Sequence, residues 1–218
     1  MHGVLPRTIL TIVNNFPPRI YLASRSPRRR ELLTQMGVHY DVLLLRETSG
    51  RSDLDETPIT NEQPAAYVAR IALSKADIGW QRVCQRGILR HPVLGADTMV
   101  TLDNEILGKP GSVENAITML TKLSGRTHQV MTSVALAFQC QTHQLTSISE
   151  VTFKHLSSTE IEQYASSGEP LDKAGSYAIQ GRGAMFIRHL TGSYSGVMGL
   201  PVFETAELLQ GHNPTSTA

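Results

Sequence analysis

The chain has 218 residues, and its 20 Lys and Arg against 19 Asp and Glu give a formal net charge of +1. This balance argues against a strongly basic nucleic-acid-binding protein, and a hydrophobic content of 40% argues against a mainly disordered chain. No apolar run in the sequence approaches the ~18 to 20 residues of a membrane span. Cys84 and Cys140 form no metal-ligand cluster, and we interpret them as reduced thiols. We therefore expect a cytoplasmic protein that has neither a membrane nor a nucleic acid as partner.

Residues 1–18 are the first predicted division of the chain. They contain one short apolar stretch, Ile9 to Val13, followed by two prolines. This is too little for the ~7 to 15 apolar residues of a signal peptide, so we interpret the segment as an N-terminal extension. One large domain over residues 19–211 and a short C-terminal tail over residues 212–218 are expected to follow.

The apolar pattern and the turn and capping residues predict elements of both kinds. In chain order these are a strand at 19–23, a helix at 27–36, a strand at 40–45, a loop at 46–63, a helix that begins at Pro64, a strand at 93–102, a helix between Ser112 and Gly125, strands at 130–138 and 151–156 around a turn at 141–143, a helix from Ser157 to about Ser167, a strand at 184–189 and a final helix at 201–211. Because strands and helices do not alternate strictly, we expect an α/β fold with a mixed sheet.

The segment from Ser24 to Arg30 is a candidate anion site, because it joins a predicted strand to a helix N-terminus. Backbone N–H groups and the helix dipole favour an anion there, and the hydroxyls and guanidinium groups add charge-assisted contacts to phosphate. Ser26 is expected to be the N-cap. Helical spacing directs Arg28, and with it Arg29, toward the end of the strand and Arg30 outward. The alternative is helix capping with a solvated basic face.

Two acidic features suggest a catalytic or metal-binding role. Asp97 lies inside an otherwise apolar strand, where an unpaired carboxylate is costly to bury. It is therefore a candidate metal ligand or general base, with a structural ion pair as the alternative. Asp53, Asp55 and Glu56 cluster in a predicted loop and suit Mg²⁺, which takes few protein ligands and keeps waters and phosphate oxygens. A solvated acidic loop is the alternative there.

Three lysines and one glutamine complete the candidate site. Lys75 lies on a predicted helix, whereas Lys109 and Lys173 lie in loops rich in glycine or proline, where functional residues concentrate. The amide of Gln180 can read the edge of a base through its donor and acceptor groups. Each of these residues could also be an ordinary surface or turn residue. Composition and spacing alone thus indicate a cytoplasmic α/β enzyme that acts on a phosphorylated ligand, with Mg²⁺ as a candidate cofactor.

Taken together and in this order, the motifs resemble those of the Maf family of nucleoside triphosphate pyrophosphatases. The similarity extends from about Ile20 to Leu209. The matching segments are LASRSPRR at 22–29, DLDE at 53–56, ALSKA at 72–76, GADT at 95–98, LGKP at 107–110, LSGRTH at 123–128, EPLDKAG at 169–175, IQG at 179–181 and GLP at 199–201. No single motif is specific, but this many in one order are.

The resemblance implies a two-lobed, mixed-sheet α/β fold of the Maf and ITPase-like type with a central cleft. It implies hydrolysis of nucleoside triphosphates between the α- and β-phosphates, giving the monophosphate and pyrophosphate with Mg²⁺ or Mn²⁺ as cofactor. Lys173 and Gln180 resemble the branch that acts on dTTP and UTP, with modified pyrimidine nucleotides as further candidate substrates. The resemblance also suggests a homodimer.

The resemblance assigns roles to individual residues. Asp97 matches the proton acceptor and is expected to hold the metal together with Glu56. Arg28, Thr98 and Gln180 match the positions associated with pyrimidine selection. The expected phosphate-binding residues are Ser24, Ser26, Arg28, Arg29, Lys75, Lys109 and Lys173. Two departures from the pattern are Arg25, where a small residue is common, and Ala178, where a glycine is more frequent.

Two other functions compete with this interpretation. The family has been linked to septum formation, so a regulator of cell division could sense a nucleotide without hydrolysing it. The intact Asp97 and acidic loop argue against that reading. A nucleic-acid-binding protein would use residues 24–30 and would bind less tightly as salt increases, without needing a divalent metal. Release of pyrophosphate separates an enzyme from both alternatives.

Overall fold

The computed structural model describes residues 16–46 and 53–211. Most of the predicted N-terminal extension, residues 47–52 of the predicted loop and the predicted tail lie outside the described residues. The strands are β1 (Ile20–Leu22), β2 (Tyr40–Val42), β3 (Val93–Leu102), β4 (Glu105–Leu107), β5 (Thr127–Phe138), β6 (Gln141–Phe153) and β7 (Ile187–Thr191). The helices are α1 (Pro27–Gln35), α2 (Pro64–Arg86), α3 (Val113–Leu123), α4 (Ser158–Ala165), α5 (Tyr194–Met198) and α6 (Val202–Gly211).

All of these strands join one seven-stranded sheet. Its order is β2-β1-β3-β5-β6-β7, and β4 pairs with β3. β1 is parallel to both β2 and β3, whereas the other pairs are antiparallel. The predicted α/β fold with a mixed sheet is therefore confirmed.

The sheet has a break along one edge of β3. β1 pairs with Val93 and Leu94, and β4 pairs with residues 100–102, while β5 occupies the opposite edge over most of the strand. Residues 95–99 thus have β5 on one side and a gap between β1 and β4 on the other. This gap is the central cleft that the sequence led us to expect, and Asp97 and Thr98 lie at its floor.

The hydrophobic core is divided at the same place. Leu94 and Ala96 pack in one cluster with residues of β1, α1 and α6. Val100 and Leu102, on the same face of β3, pack in a second cluster with residues of α3 and α4. Since alternate strand residues share a face, Thr98 is the polar position between the two clusters. The two clusters are the cores of the two lobes.

Helix α2 covers the other face of β3 at very short range. It begins with Pro64 in the first turn and ends before Gly87, which has the left-handed φ of 62° common after a helix C-terminus. A Cβ atom placed on Gly95 of β3 would lie 2.5 Å from the Ala72 carbonyl oxygen and 2.6 Å from the Ala76 nitrogen. Only glycine fits at this contact, and the contact sets the position of Lys75 on the helix.

The structure corrects several predicted boundaries. The strand expected at 40–45 ends at Val42, and residues 141–150, assigned in part to a turn, belong to β6. The turn lies instead at 139–140. Residues 182–186, which overlap the strand predicted at 184–189, form a 3-10 helix. The predicted strand at 151–156 contains only the end of β6; the rest escaped recognition because its buried positions include Ser147 and Ser149, whose hydroxyls remove the apolar alternation that identifies a strand.

Two further observations bear on the expected partners and cysteines. Within residues 16–46 and 53–211, no helix is long and apolar enough to cross a membrane. Cys84 and Cys140 are both free and exposed, as expected for two thiols.

Substitution of Gly95 by alanine tests the contact between α2 and β3. The added methyl group would clash with backbone atoms of α2, which cannot move aside as a flexible side chain can. We therefore expect the free energy of unfolding to fall by about 1–3 kcal/mol and the Tm to fall by several degrees. Thermal unfolding followed by circular dichroism measures the change. Gly108→Ala is the control, since nothing lies within 4 Å of its added Cβ. Equal Tm values for the two variants would show that α2 is not held at this distance.

Candidate active site

A cavity of about 770 Å³ opens at the break in the sheet. This volume is within the usual range for a small-molecule site. Its walls come from the β1–α1 loop, α2, β3, β4 and the segments around residues 172–180 and 197–199. Eleven of the predicted site residues line it, namely Ser24, Ser26, Arg28, Arg29, Glu56, Lys75, Asp97, Thr98, Lys109, Lys173 and Gln180. The fold therefore brings together residues that are up to about 150 positions apart in sequence.

A lysine between two carboxylates lies at the floor of the cavity. The Lys75 Nζ atom is 2.8 Å from Asp97 Oδ1 and 2.9 Å from Glu56 Oε1. The side chains of Lys75 and Asp97 are each 16% exposed, whereas that of Glu56 is 56% exposed. The buried Asp97 is thus paired, as a carboxylate in an apolar strand must be.

Only Glu56 of the acidic loop reaches this centre. The Asp53 carboxylate forms an ion pair with Arg82 and also accepts a hydrogen bond from the Arg46 amide at 2.7 Å. The Asp55 carboxylate accepts from the Thr57 amide at 2.9 Å. Asp53 and Asp55 therefore stabilise the loop, which corrects the expectation of a cluster of three carboxylates around one ion.

The donor set fits a divalent cation that binds few protein atoms. Within the described residues, no group of three or more His, Cys, Asp or Glu is arranged to hold a metal ion. Glu56 and Asp97 nevertheless direct one oxygen each at a common point, which the Lys75 ammonium occupies. Mg²⁺ commonly uses one or two carboxylates and completes its shell with water and substrate phosphate. Two converging carboxylates match that requirement.

Arg29 is the most deeply placed arginine of the anion segment. Its Nε atom donates to the Gly199 carbonyl at 2.8 Å, and its Nη atoms donate to Ser24 Oγ at 3.1 Å and Thr98 Oγ1 at 3.2 Å. Burial lowers the pKa of Arg29, and the nearby Asp97 carboxylate opposes that shift. Sequence spacing directed both Arg28 and Arg29 toward the end of the strand, and the structure buries Arg29 while leaving Arg28 half-buried; Arg30 is exposed as expected.

The serines of the anion segment contact each other rather than the first turn of α1. Ser26 stands at the N-cap position of α1, as predicted, but its side chain makes no capping hydrogen bond. Its backbone amide instead donates to Ser24 Oγ at 3.2 Å. Pro27 at the first helical position lacks one of the N–H groups that have no partner within the helix. Because the Ser26 hydroxyl does not cap the helix, it can contact a ligand in the cavity.

Three further cationic side chains line the cavity, those of Lys173, Arg28 and Lys109. The Lys173 ammonium pairs with the Asp172 carboxylate and donates to the Glu169 carbonyl at 3.2 Å. Arg28 is half-buried near the same Asp172; burial lowers the pKa of Arg28, and Asp172 opposes this shift. Lys109 is exposed. Together these side chains make one wall of the cavity positive.

Two residues that no sequence motif singled out, Tyr67 and Arg70, hold the Glu56 loop. The Tyr67 hydroxyl donates to the Glu56 carbonyl at 2.9 Å. The Arg70 guanidinium donates to both oxygens of Glu62, at 2.6 and 2.7 Å, and to the Thr57 carbonyl at 3.2 Å. These hydrogen bonds hold the pKa of Glu62 below its ordinary value. The spacing of three positions places Tyr67 and Arg70 on one face of α2, which is the signal that could have identified them.

The turn that carries Gln180 has its own support. The Glu169 carboxylate accepts hydrogen bonds from the amides of Arg182 and Gly183, at 3.2 and 3.3 Å, and from the Tyr164 hydroxyl at 2.8 Å. Gln180 itself is exposed on the cavity wall. Glu169 therefore supports the turn through its hydrogen bonds, a role that its position in the EPLDKAG motif did not indicate.

Beside this turn, Tyr177 forms an apolar wall of the cavity. Its ring lies edge-on to Phe153, and its hydroxyl is 2.8 Å from His128 Nε2. Burial lowers the pKa of His128 to about 4, so the imidazole is neutral near pH 7.

An α/β fold whose cavity combines two carboxylates with a wall of cations defines an enzyme-like site for a phosphorylated ligand. The chain belongs to the Maf family, since the family model described as Maf-like protein matches residues 19–212. A dTTP/UTP pyrophosphatase of Nitrosomonas europaea is 55% identical over 192 residues, which cover 88% of this chain and 93% of that protein. Proteins of the same name from Aromatoleum aromaticum and Dechloromonas aromatica are 53% and 50% identical, over 88% of this chain and 94% and 96% of theirs.

One solved structure shows a more distant similarity. The Staphylococcus aureus Ham1 protein aligns with a TM-score of 0.37 at 16% identity, over 62% of this chain and 71% of that chain. The overlap covers part of the fold only.

Substitution of Arg70 by alanine tests the attachment of the Glu56 loop to α2. The change leaves the Glu62 carboxylate, whose side chain is 9% exposed, without its partner. We expect amide hydrogen exchange over residues 55–62 to become about tenfold faster, with β3 unaffected. Mass spectrometry of exchanged peptides gives the rates. Arg19→Ala serves as the control because the Arg19–Asp41 pair is about half exposed. Unchanged exchange over residues 55–62 would mean that Arg70 does not hold the loop.

Proposed function

We propose that this protein hydrolyses nucleoside triphosphates, dTTP and UTP among them, to the nucleoside monophosphate and pyrophosphate. The observation that carries the proposal is the convergence of the Asp97 and Glu56 carboxylates on one point at the floor of the cavity, which also has a wall of cationic side chains. Three relatives at 50–55% identity are named dTTP/UTP pyrophosphatase, which supports the same reaction and the same substrates for this chain.

In the proposed reaction, Asp97 is the general base. A water oxygen forms a bond to the α-phosphorus, and the bond from that phosphorus to the oxygen bridging to the β-phosphorus breaks. Pyrophosphate leaves with the electron pair of that bond, and the Asp97 carboxylate accepts the proton of the water. The position of Asp97 at the break in the sheet supports this role, since its carboxylate meets the cavity from a rigid strand.

Glu56 and Asp97 would hold the divalent cation, Mg²⁺ or Mn²⁺. Bound there, such an ion would favour ionisation of a water and neutralise phosphate charge. Tyr67 and Arg70 keep Glu56 in place through the Glu56 carbonyl and the loop that follows it. The chain itself thus supplies the ligands and their support.

The cations of the cavity bind the triphosphate in this proposal. The groups assigned to this role are Ser24, Ser26, Arg28, Arg29, Lys75, Lys109 and Lys173. Charge that develops on the equatorial oxygens and on the departing pyrophosphate is stabilised by such fixed cations. Arg29 contributes from a buried position and also holds the hydroxyls of Ser24 and Thr98.

Gln180, Thr98 and Arg28 are proposed to select a pyrimidine. The exposed Gln180 amide offers a donor and an acceptor on the cavity wall. The Thr98 hydroxyl accepts a hydrogen bond from Arg29 at 3.2 Å and lies 3.0 Å from the Thr132 hydroxyl, so its orientation is set by the protein. The homodimer, the cytoplasmic location and the absence of a nucleic-acid partner remain predictions.

Turnover of a panel of nucleoside triphosphates tests the function. We expect pyrophosphate and monophosphate from dTTP and UTP with Mg²⁺, little from ATP or GTP, and loss of turnover when EDTA removes the ion. Ion chromatography of both products measures it. Release from a purine nucleotide instead would keep the reaction and refute the role of Gln180. A folded protein that binds dTTP without releasing pyrophosphate would be a sensor rather than an enzyme.

Replacement of Asp97 by asparagine tests the general base. The amide keeps the shape of the side chain but cannot accept the proton, so kcat should fall by about 10²–10⁴-fold. Steady-state release of pyrophosphate from dTTP gives kcat and KM. Asp103→Asn is the matched control, since Asp103 is 71% exposed in a surface ion pair with Arg126. Substantial turnover by the Asp97 variant would remove Asp97 from this role.

A further inference from the structure

We infer that Lys75 is a resident counter-ion, which occupies the point between Glu56 and Asp97 in the free protein and leaves it when a divalent cation binds. The inference rests on the proposed function, because it assumes that these carboxylates receive the ion. It adds a role for Lys75 before the phosphates arrive. The ammonium keeps the metal-binding point filled until metal and nucleotide enter together.

The geometry around Lys75 carries this inference. One ammonium lies 2.8 Å from Asp97 Oδ1 and 2.9 Å from Glu56 Oε1, so the same two oxygens that fit a cation already contact one. Without a positive charge between them, the two carboxylates would repel each other. A divalent ion bound to these oxygens would lie against the ammonium, and like charges at such a distance are strongly unfavourable in a half-buried site. The two cations therefore exclude each other.

Lys75 also has the freedom to move, whereas Arg29 does not. The backbone of Lys75 is fixed, since Ala72 and Ala76 on either side of it are fully buried against β3. Its four-carbon stem is flexible and ends in a compact charge. The Arg29 guanidinium is held by three hydrogen bonds from Nε and both Nη atoms. Lys75 is accordingly the cation that can turn from the carboxylates to the phosphates.

This exchange predicts a particular order of affinities. The free protein binds a divalent cation weakly, because Lys75 already neutralises the carboxylates. Nucleotide supplies phosphate oxygens that accept the released ammonium and also bind the ion. Metal and nucleotide consequently strengthen each other's binding, with Lys75 as the coupling residue.

Titration with Mn²⁺ alone, in the absence of nucleotide, tests the exchange. Electron paramagnetic resonance of free Mn²⁺ gives the affinity without any catalytic step. Lys75→Met should bind Mn²⁺ about tenfold more tightly than the unchanged protein, since the competing charge is gone. Lys75→Arg keeps the charge and should stay near the original affinity. Lys122→Met is the control, because Lys122 pairs with the exposed Glu105 outside the cavity.

A double variant locates the tighter site. Lys75→Met combined with Asp97→Asn should lose the gain, because one of the two carboxylates is then absent. A gain that survives in the double variant would place Mn²⁺ elsewhere and overturn the inference. Lys75→Met that binds Mn²⁺ no more tightly, in protein whose thermal unfolding shows it folded, would also overturn it. If the Lys75→Met variant does not fold, Lys75→Gln takes its place in both titrations.

The failure of this inference is distinct from failure of the proposed function. The Mn²⁺ titration contains no nucleotide, whereas the product panel contains the unchanged protein. A gain in Mn²⁺ affinity without turnover of any nucleotide would support the exchange and refute the enzyme. Turnover without a gain would support the enzyme and refute the exchange.

Discussion

The contact between α2 and β3 at Gly95 is the constraint on which the site depends. Because the Ala72 carbonyl and the Ala76 amide lie where a Cβ would be, the helix runs unusually close to the strand. Lys75, between those two alanines, is thereby brought within hydrogen-bond distance of Asp97, two positions after the glycine. The same strand meets the cleft at the break between β1 and β4. If α2 lay one side-chain diameter further from β3, the Lys75 ammonium would not reach Asp97 and the cavity would lose this part of its floor.

Charge balance explains why so many ionic groups can share one cavity. Asp97 has Lys75 in direct contact and Arg29 nearby, while Glu56 shares the same ammonium. On the opposite wall, Asp172 neutralises Lys173 and lies close to Arg28. Each carboxylate is thus matched before any ligand arrives, which limits the cost of burying charge. Under the proposed function, the remaining positive charge near Ser24 and Ser26 would attract the triphosphate.

Much of the site was predictable because short motifs kept chemistry-bearing residues beside turn and helix-start signals. The sequence placed Asp97 inside a strand and Ser24 before a helix, and both lie on the cavity. It could not rank Arg28 and Arg29, since their burial depends on Thr98 and Gly199, which are far away in sequence. The Arg70–Glu62 pair was hidden for a related reason, because Glu62 precedes the helix and nothing local shows that the loop folds back. The length of β6 was missed because its pairing with β5, rather than its own hydropathy, makes it a strand.

The two roles proposed for the cavity, phosphate chemistry at the carboxylate centre and base selection at the Gln180 turn, depend on separate parts of the fold. The carboxylate centre depends on β3 and α2, and its loop is held by Tyr67 and Arg70. The Gln180 turn depends on Glu169, whose carboxylate binds the two backbone amides that follow the turn. No hydrogen bond or ion pair named for either support is shared with the other. Under the proposed function, substitutions in the turn would change which base is accepted while the carboxylate centre keeps its geometry.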